Sequence, residues 1–262
     1  MPIASNELRP NDRSLWSRLG RDGVITVTLL TTIDRTITAT PSLWWLGQGG
    51  FVVRFASITF YVDPCFRALS LNPADVTHAD MILATSAQRV DESLLPMLEA
   101  SKRAKLILPK SAGEAAHSAG IPYSRMTTTD SGLRVEYFKD NLYSRVYSSP
   151  ASLDWTAAGG YPSLGYLIRF GRWTIYHGGS GALYEGLADR LRPFNVSVAL
   201  LPVGDGNFSA AEAAQLASSI GAGWLVPYGP PEPTFVEHLL GHCPEQRFKL
   251  FEPGEGWTVP EE

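Results

Sequence analysis

The apolar positions of this chain fall in short runs whose spacing changes along its length. Residues 24–30, 42–46, 50–55 and 58–62 are dense in β-branched and aromatic side chains and are separated by short polar breaks, which predicts strands joined as hairpins. Residues 14–20 read as a short helical entry. From Asp80 onward strands alternate with helices: a strand at 81–84, a helix at 92–102, a strand at 105–109, and a helix at 112–118 that stops before Gly120. The second half repeats this order, with strands at 133–138, 144–147, 165–170 and 173–177, a helix at 183–191, a strand at 197–202 and a helix at 210–220. The last of these is the best delimited, because Ser209-Ala-Ala-Glu212 fits a capping box and Gly221 suits the left-handed position past a helix end. Hairpins followed by βαβ units, twice over, predict an α/β fold: a four-layer αββα sandwich with two central mixed β-sheets. No linker is long enough to separate domains, so residues 1–262 read as one domain, with 1–40 as its entry helix and strand.

Composition adds boundaries to that picture. With 262 residues, 44% hydrophobic and 18% charged, the chain can bury a large core. A net charge of -4 without a basic run argues against nucleic acid as a partner, since such binding draws on cationic surface. The N-terminus has no apolar core of signal-peptide length, and no later run approaches the roughly 20 apolar residues of a membrane span. The expectation is a cytoplasmic protein that does not engage membranes. Cys65 and Cys243 are too few for a disulfide framework and lack metal-pair spacing, so both read as free thiols.

Three stretches form a recognisable frame: Leu43-Trp-Trp-Leu-Gly-Gln-Gly-Gly-Phe51, Ile58-Thr-Phe-Tyr-Val-Asp-Pro64 and Ala79-Asp-Met-Ile-Leu-Ala-Thr85. Together they resemble the metallo-β-lactamase superfamily, specifically its branch of lactonase-like hydrolases, and the resemblance implies a metallo-β-lactamase-like sandwich. In that family the strand ending in Ala-Thr runs into a His-x-His-x-Asp-His loop that holds two metal ions. Here it runs into Ser86-Ala-Gln-Arg-Val-Asp91, which has no histidine. The resemblance places the two leading histidines on Ser86 and Gln88, the Asp-His pair on Val90 and Asp91, and the metal-bridging aspartate of a Gly-Asp-Thr turn on Ser180. After 224–228 the chain continues Gly229-Pro-Pro-Glu-Pro233, again without an imidazole, and Asp154 is the one ligand type near the remaining position. A catalytic zinc takes about three nitrogen, sulfur or carboxylate ligands. The implication is a degenerate protein with no metal and no other cofactor.

Several residues carry two readings. Asp63 either supports a site from behind or ties turn amides together. His177 ends a buried-looking strand as a core imidazole or a functional one. Cys65, at a strand end, is a small apolar residue or a nucleophile. Ser180 lies in Gly178-Gly-Ser-Gly-Ala182 between a strand and a helix, the setting of a nucleophile elbow, and Asp205 and His238 keep the chain order of a triad. His238 and His242 share one helix face at i, i+4. An emptied cleft of Asp63, Ser86, Gln88, Asp91, Ser180 and Tyr228 would be neutral to mildly acidic and suit a sugar or similar small polar metabolite. The expected functions are therefore a non-catalytic binding or regulatory subunit, self-associated or beside an active paralogue, or a small-metabolite binder. The alternative is a hydrolase with a rebuilt site, using a carboxylate-bound metal or, without metal, Ser180 or Cys65.

Overall fold

A computed structural model of the chain describes residues 28–156, 159–204, 206–229 and 235–261. Its strands are β1 (Ser42–Gly47), β2 (Gly50–Phe55), β3 (Ile58–Val62), β4 (Met81–Leu83), β5 (Lys105–Pro109), β6 (Met126–Thr129), β7 (Arg134–Lys139), β8 (Leu142–Pro150), β9 (Leu164–Phe170), β10 (Trp173–His177), β11 (Val198–Pro202), β12 (Trp224–Tyr228) and β13 (Gly256–Thr258). One sheet runs β13-β1-β2-β3-β4-β5-β6 and the other β12-β11-β10-β9-β8-β7. Both are mixed. The hairpin strands β1 to β3 pair antiparallel, and β3 to β6 then pair parallel through crossovers. In the second sheet β7 to β10 are antiparallel while β10 to β12 are parallel.

The alternation of side chains explains the layers. In β1 to β3, Leu43, Phe51, Val53, Phe60 and Val62 point between the sheets, where they meet Leu164, Tyr166, Ile168, Ile175 and Leu200. Their sequence neighbours Trp44, Val52 and Tyr61 point outward onto α1 (Leu29–Arg35), α2 (Leu94–Ala100) and α3 (Gly113–Ser118) through Ile33, Met97, Leu98 and Ala116. Leu167, Tyr176, Ala199 and Leu201 of the second sheet likewise face α4 (Leu187–Leu191), α5 (Ala210–Ser219) and α6 (Phe235–His242). Strands covered on both faces carry near-continuous apolar runs, which is why they stood out in the sequence. The result is the αββα sandwich with two central mixed sheets.

Some elements differ from expectation. Residues 14–20, and 24–27 of the expected first strand, lie outside the described residues. Leu29 and Leu30, the end of that strand, instead belong to α1: Thr28 caps it by accepting from the Thr31 amide, and Leu30 and Ile33 share a helix face toward the core. The helix expected at 183–191 starts only at Leu187, because Gly186 holds a left-handed φ of 84°. The short edge strands β6 and β13 were not anticipated. The capping box at Ser209 and Glu212 forms as read.

Buried Arg54 of β2 anchors α1. Its Nε donates to the Thr36 carbonyl at 2.6 Å and its Nη2 to the Asp34 carbonyl at 2.9 Å, while Nη1 donates to the Thr59 hydroxyl. These carbonyls close the helix C-terminus, where backbone acceptors lack intrahelical partners and a positive charge is favoured. Arg54→Met should cost about 2 kcal/mol, the scale of hydrogen bonds to a charged group. Amide exchange should accelerate across Leu29–Arg35 while β9 to β11 stay protected; uniform loss of protection would refute this local role.

Candidate binding site

At one end of the sandwich the strand ends β3, β4, β10, β11 and β12 converge with the β1–β2 turn. Asp63 follows β3 with a left-handed φ of 43°, and its amide donates to the Leu83 carbonyl at 2.8 Å. Its side chain is 1% exposed, and accepts from the Thr85 amide at 2.8 Å and the Thr85 hydroxyl at 2.6 Å. The Thr85 carbonyl accepts in turn from the Leu164 amide at 2.8 Å, and Tyr166 donates its hydroxyl to the Ala84 carbonyl at 2.8 Å. One loop thereby joins the two sheets.

The 3-10 turn Ala87–Arg89 that follows carries Arg89 inward. Its Nε lies 3.6 Å from Asp63 Oδ2, and its Nη1 lies 3.4 Å from Gln48 Oε1. The guanidinium carries five N–H donors, and among the described residues these long contacts leave most of them free. Gly49 lies just beneath it: a Cβ there would sit 3.3 Å from Arg89 Nη2 and 3.3 Å from the Tyr228 ring.

His177 forms the floor of this end. Its Nδ1 accepts from the Gly179 amide at 3.1 Å, so Nε2 carries the proton and donates to the Gly49 carbonyl at 2.8 Å. Its ring stacks on Tyr228 at 5.0 Å, and Tyr228 donates its hydroxyl to the Gly179 carbonyl at 2.6 Å. Gly179 has φ 66°, and a Cβ there would meet the Leu164 carbonyl at 2.6 Å, so this turn accepts only glycine.

A cavity of about 330 Å³ opens above these groups, lined by Trp45, Gln48, Arg89, Ser180, Asn207 and Tyr228 among others. Of the expected pocket residues, Ser180 and Tyr228 line it and Asp63 sits behind Arg89. Gln88 and Asp91 are exposed and outside it; Asp91 accepts from the Ser93 amide at 2.9 Å, ahead of α2. Ser86 is buried, and its hydroxyl has no hydrogen-bond partner. Val90 packs against the core beside α2. Asp154 is exposed and hydrogen-bonds with Ser152 at 3.2 Å. The neutral to mildly acidic pocket read from the sequence is therefore altered by Arg89, a cationic group that reading left out. A cation inside a loop expected to hold cations is the signal that could have found it.

Among the described residues neither nucleophile candidate is hydrogen-bonded to an imidazole. Exposed Ser180 has no hydrogen-bonded imidazole, and both nitrogens of His177 are engaged elsewhere. His238 is exposed on α6, where its carbonyl meets His242 Nδ1 at 2.8 Å. Asp205 lies outside the described residues. Half-buried Cys65 does not line the cavity. The fold implies a metal centre, but the donors present do not fit one. Among the described residues no group of three or more His, Cys, Asp or Glu side chains is placed to hold a metal ion. Among the described residues the one deeply buried carboxylate at the cleft, that of Asp63, is already bonded to Thr85 and faces a guanidinium.

Comparison with known proteins places this arrangement on a familiar scaffold. No protein-family model matches the sequence, and no curated protein sequence does. The structure is similar to a metallo hydrolase of the archaeon Ignicoccus hospitalis, with TM-score 0.66 and 18% identity over 85% of this chain and 100% of that one. It is similar to the metallo-beta-lactamase fold protein YhfI of Bacillus subtilis, with TM-score 0.63 and 11% identity over 83% and 99%. It also resembles CmlA, a diiron beta-hydroxylase of Streptomyces venezuelae, with TM-score 0.64 and 13% identity over 84% of this chain and 54% of that one. At such identities the likeness shows a metallo-β-lactamase fold and leaves the chemistry to the site's own residues. Among the described residues no helix is long and apolar enough to cross a membrane.

Two buried groups give the site an opposed pH dependence. Burial pushes the Asp63 carboxyl from its ordinary 3.8 up to about 6, against the pull of Arg89 and the Thr85 bonds. Burial also pushes the His177 imidazole from 6.5 down to about 4; the Gly49 bond opposes this and Arg89 adds to it. Between pH 3.8 and about 6 the folded chain keeps a proton on Asp63 that the unfolded chain has released, so this group lowers stability as pH rises. Between about pH 4 and 6.5 the unfolded chain holds a proton that folded His177 lacks, so this group raises stability with pH. Over the shared window the two slopes largely cancel. Asp63→Asn should leave stability rising with pH and His177→Gln should leave it falling, each by up to about 1.4 kcal/mol per pH unit. Urea unfolding at several pH values reads this directly, and parallel profiles for all three proteins would refute it.

Proposed function

We propose that this chain is a non-catalytic, metal-independent protein of the metallo-β-lactamase fold that works by binding a small molecule in the Arg89 cleft. The observation that carries the reading is the internal cation. Arg89 extends from the loop in which the resemblance expects the metal-binding histidines, and its guanidinium faces the buried Asp63 carboxylate. A permanently charged side chain satisfies that carboxylate without an exchangeable ion. Ser180, where the resemblance expects a bridging aspartate, is neutral and open to the cavity, suited to hydrogen-bonding a ligand. The cavity combines an aromatic wall with a few convergent polar groups, the usual make-up of a small-molecule site.

Elemental mass spectrometry on untagged protein purified without chelator should find metal only at background, and zinc, manganese or EDTA should leave the unfolding temperature unchanged. Near-stoichiometric zinc, iron or manganese would overturn the reading and favour a rebuilt hydrolase. A second expectation concerns the ion pair. Arg89→Met should destabilise the fold by about 2 kcal/mol by leaving Asp63 without its countercharge, and adding Asp63→Asn should recover part of that loss. Strict additivity of the two substitutions in denaturant titrations would show that the pair is not coupled.

A further inference from the structure

The Arg89 cavity does not end at its polar wall. Trp45, Val203 and Gly229 also border a second hollow of about 530 Å³, whose other walls include Pro227, Phe235, Val236, Leu250 and Phe251. The two spaces thus share a boundary. The shared wall is tightly built: Gly229 has φ 118°, and a Cβ there would meet the Val203 carbonyl at 2.5 Å, so the strand end approaches more closely than any other residue allows. Trp45 is fixed at the junction by donating its indole N–H to the Gln48 carbonyl at 2.9 Å. Leu250 is 44% exposed in the second hollow, an apolar side chain held beside water. Glu252, an exposed carboxylate, is the one charged side chain among the described residues that line the hollow.

Resting on the reading above, we propose that the ligand is a monocarboxylate with an apolar tail, its carboxylate on Arg89 and its tail laid past Trp45 against Phe235, Leu250 and Phe251. Two features select this class. Among the described residues the guanidinium has free donors in the planar fork that matches a carboxylate. Its charge is already shared with Asp63, so it suits one negative charge better than the two of a phosphate monoester. Ser180 and the half-buried amide of Asn207 face the same cavity and supply further hydrogen-bonding groups. Burying an apolar tail contributes on the order of 0.8 kcal/mol per methylene, so affinity should climb with chain length.

Isothermal titration calorimetry on the full chain tests this with octanoate, 4-phenylbutyrate, octan-1-ol and propionate, alongside metal analysis of the same preparation. Octanoate or 4-phenylbutyrate should bind at least tenfold more tightly than propionate, which lacks the tail, and than octan-1-ol, which lacks the charge. Octanoate ahead would assign an acyl tail and 4-phenylbutyrate ahead an aryl one. Arg89→Gln should weaken the preferred acid at least tenfold while leaving octan-1-ol unchanged. Leu250→Asp, at a 44% exposed position and with its unfolding temperature matched to the parent chain, should weaken acid and alcohol alike. Equal affinity for octanoate and octan-1-ol, or an Arg89→Gln variant that binds the acid normally, would overturn the head-group assignment. No acid binding with metal at background would overturn the ligand class and leave the metal-independent reading standing; stoichiometric metal would overturn that reading itself.

Discussion

A carboxylate with a side chain 1% exposed dictates the chemistry of this protein's cleft. An unpaired charge in such a place costs several kcal/mol, so the chain must neutralise or bond Asp63. Two of its contacts come from Thr85 and the third from Arg89. Because the Thr85 carbonyl also holds the Leu164 amide, meeting the needs of one carboxylate aligns the end of the first sheet with the second. The floor of the cleft and the packing of the sandwich are thus consequences of the same small network. The left-handed backbone of Asp63 itself, uncommon for a residue with a Cβ, is held by that network.

Among the described residues the cleft holds little of the negative charge that would attract a metal ion. Ser180, at the turn after β10, is neutral, and the carboxylate of Asp91 is turned to the start of α2, where it accepts from the Ser93 amide. The charge that remains, on Asp63, faces Arg89. What is left above it is a guanidinium with spare donors, a serine, two amides and two aromatic rings, a surface with hydrogen-bonding capacity and little net charge.

Much of the architecture was legible because strands buried on both faces must be apolar nearly throughout. Residues 42–62 show this clearly, and the capping pair Ser209 and Glu212 marked α5 for an equally direct reason. Elements that draw their stability from elsewhere were harder to see. β13 is three residues long and pairs with β1 from the other end of the chain, and β6 is three-quarters threonine and sits at an edge. The segment at Leu29 misled because its β-branched composition suggested extension, whereas the spacing of Leu30 and Ile33 fits a helix face. In the site, Ser180 and Tyr228 could be placed because a glycine turn and a strand end fix where they point. Arg89 was passed over, since a family frame directs attention to the positions that hold ligands, and Arg89 occupies one of the intervening positions. The apolar hollow was invisible for a different reason: its walls come from β1, β12, α6 and residues 250–253, which only the folded chain brings together.

The surroundings of Ser180 supply it with no hydrogen-bonded imidazole among the described residues. A serine becomes nucleophilic when an imidazole with a free nitrogen lone pair takes its proton. The imidazole nearest in sequence, His177, is neutral at physiological pH and so has such a lone pair, yet that lone pair receives the Gly179 amide while the opposite nitrogen donates to Gly49. Recruiting it would break both bonds, leaving buried partners at about 1–3 kcal/mol apiece, and would turn a ring clamped between Phe51 and Tyr228. The same bonds have a second effect. They hold the Gly179 turn and the β1–β2 turn at fixed distance, so the cavity between them is formed before any ligand arrives. A preformed pocket loses less ordering entropy on binding. The histidine that the turn employs as a strut is therefore better spent on holding the pocket open than on activating the serine beside it.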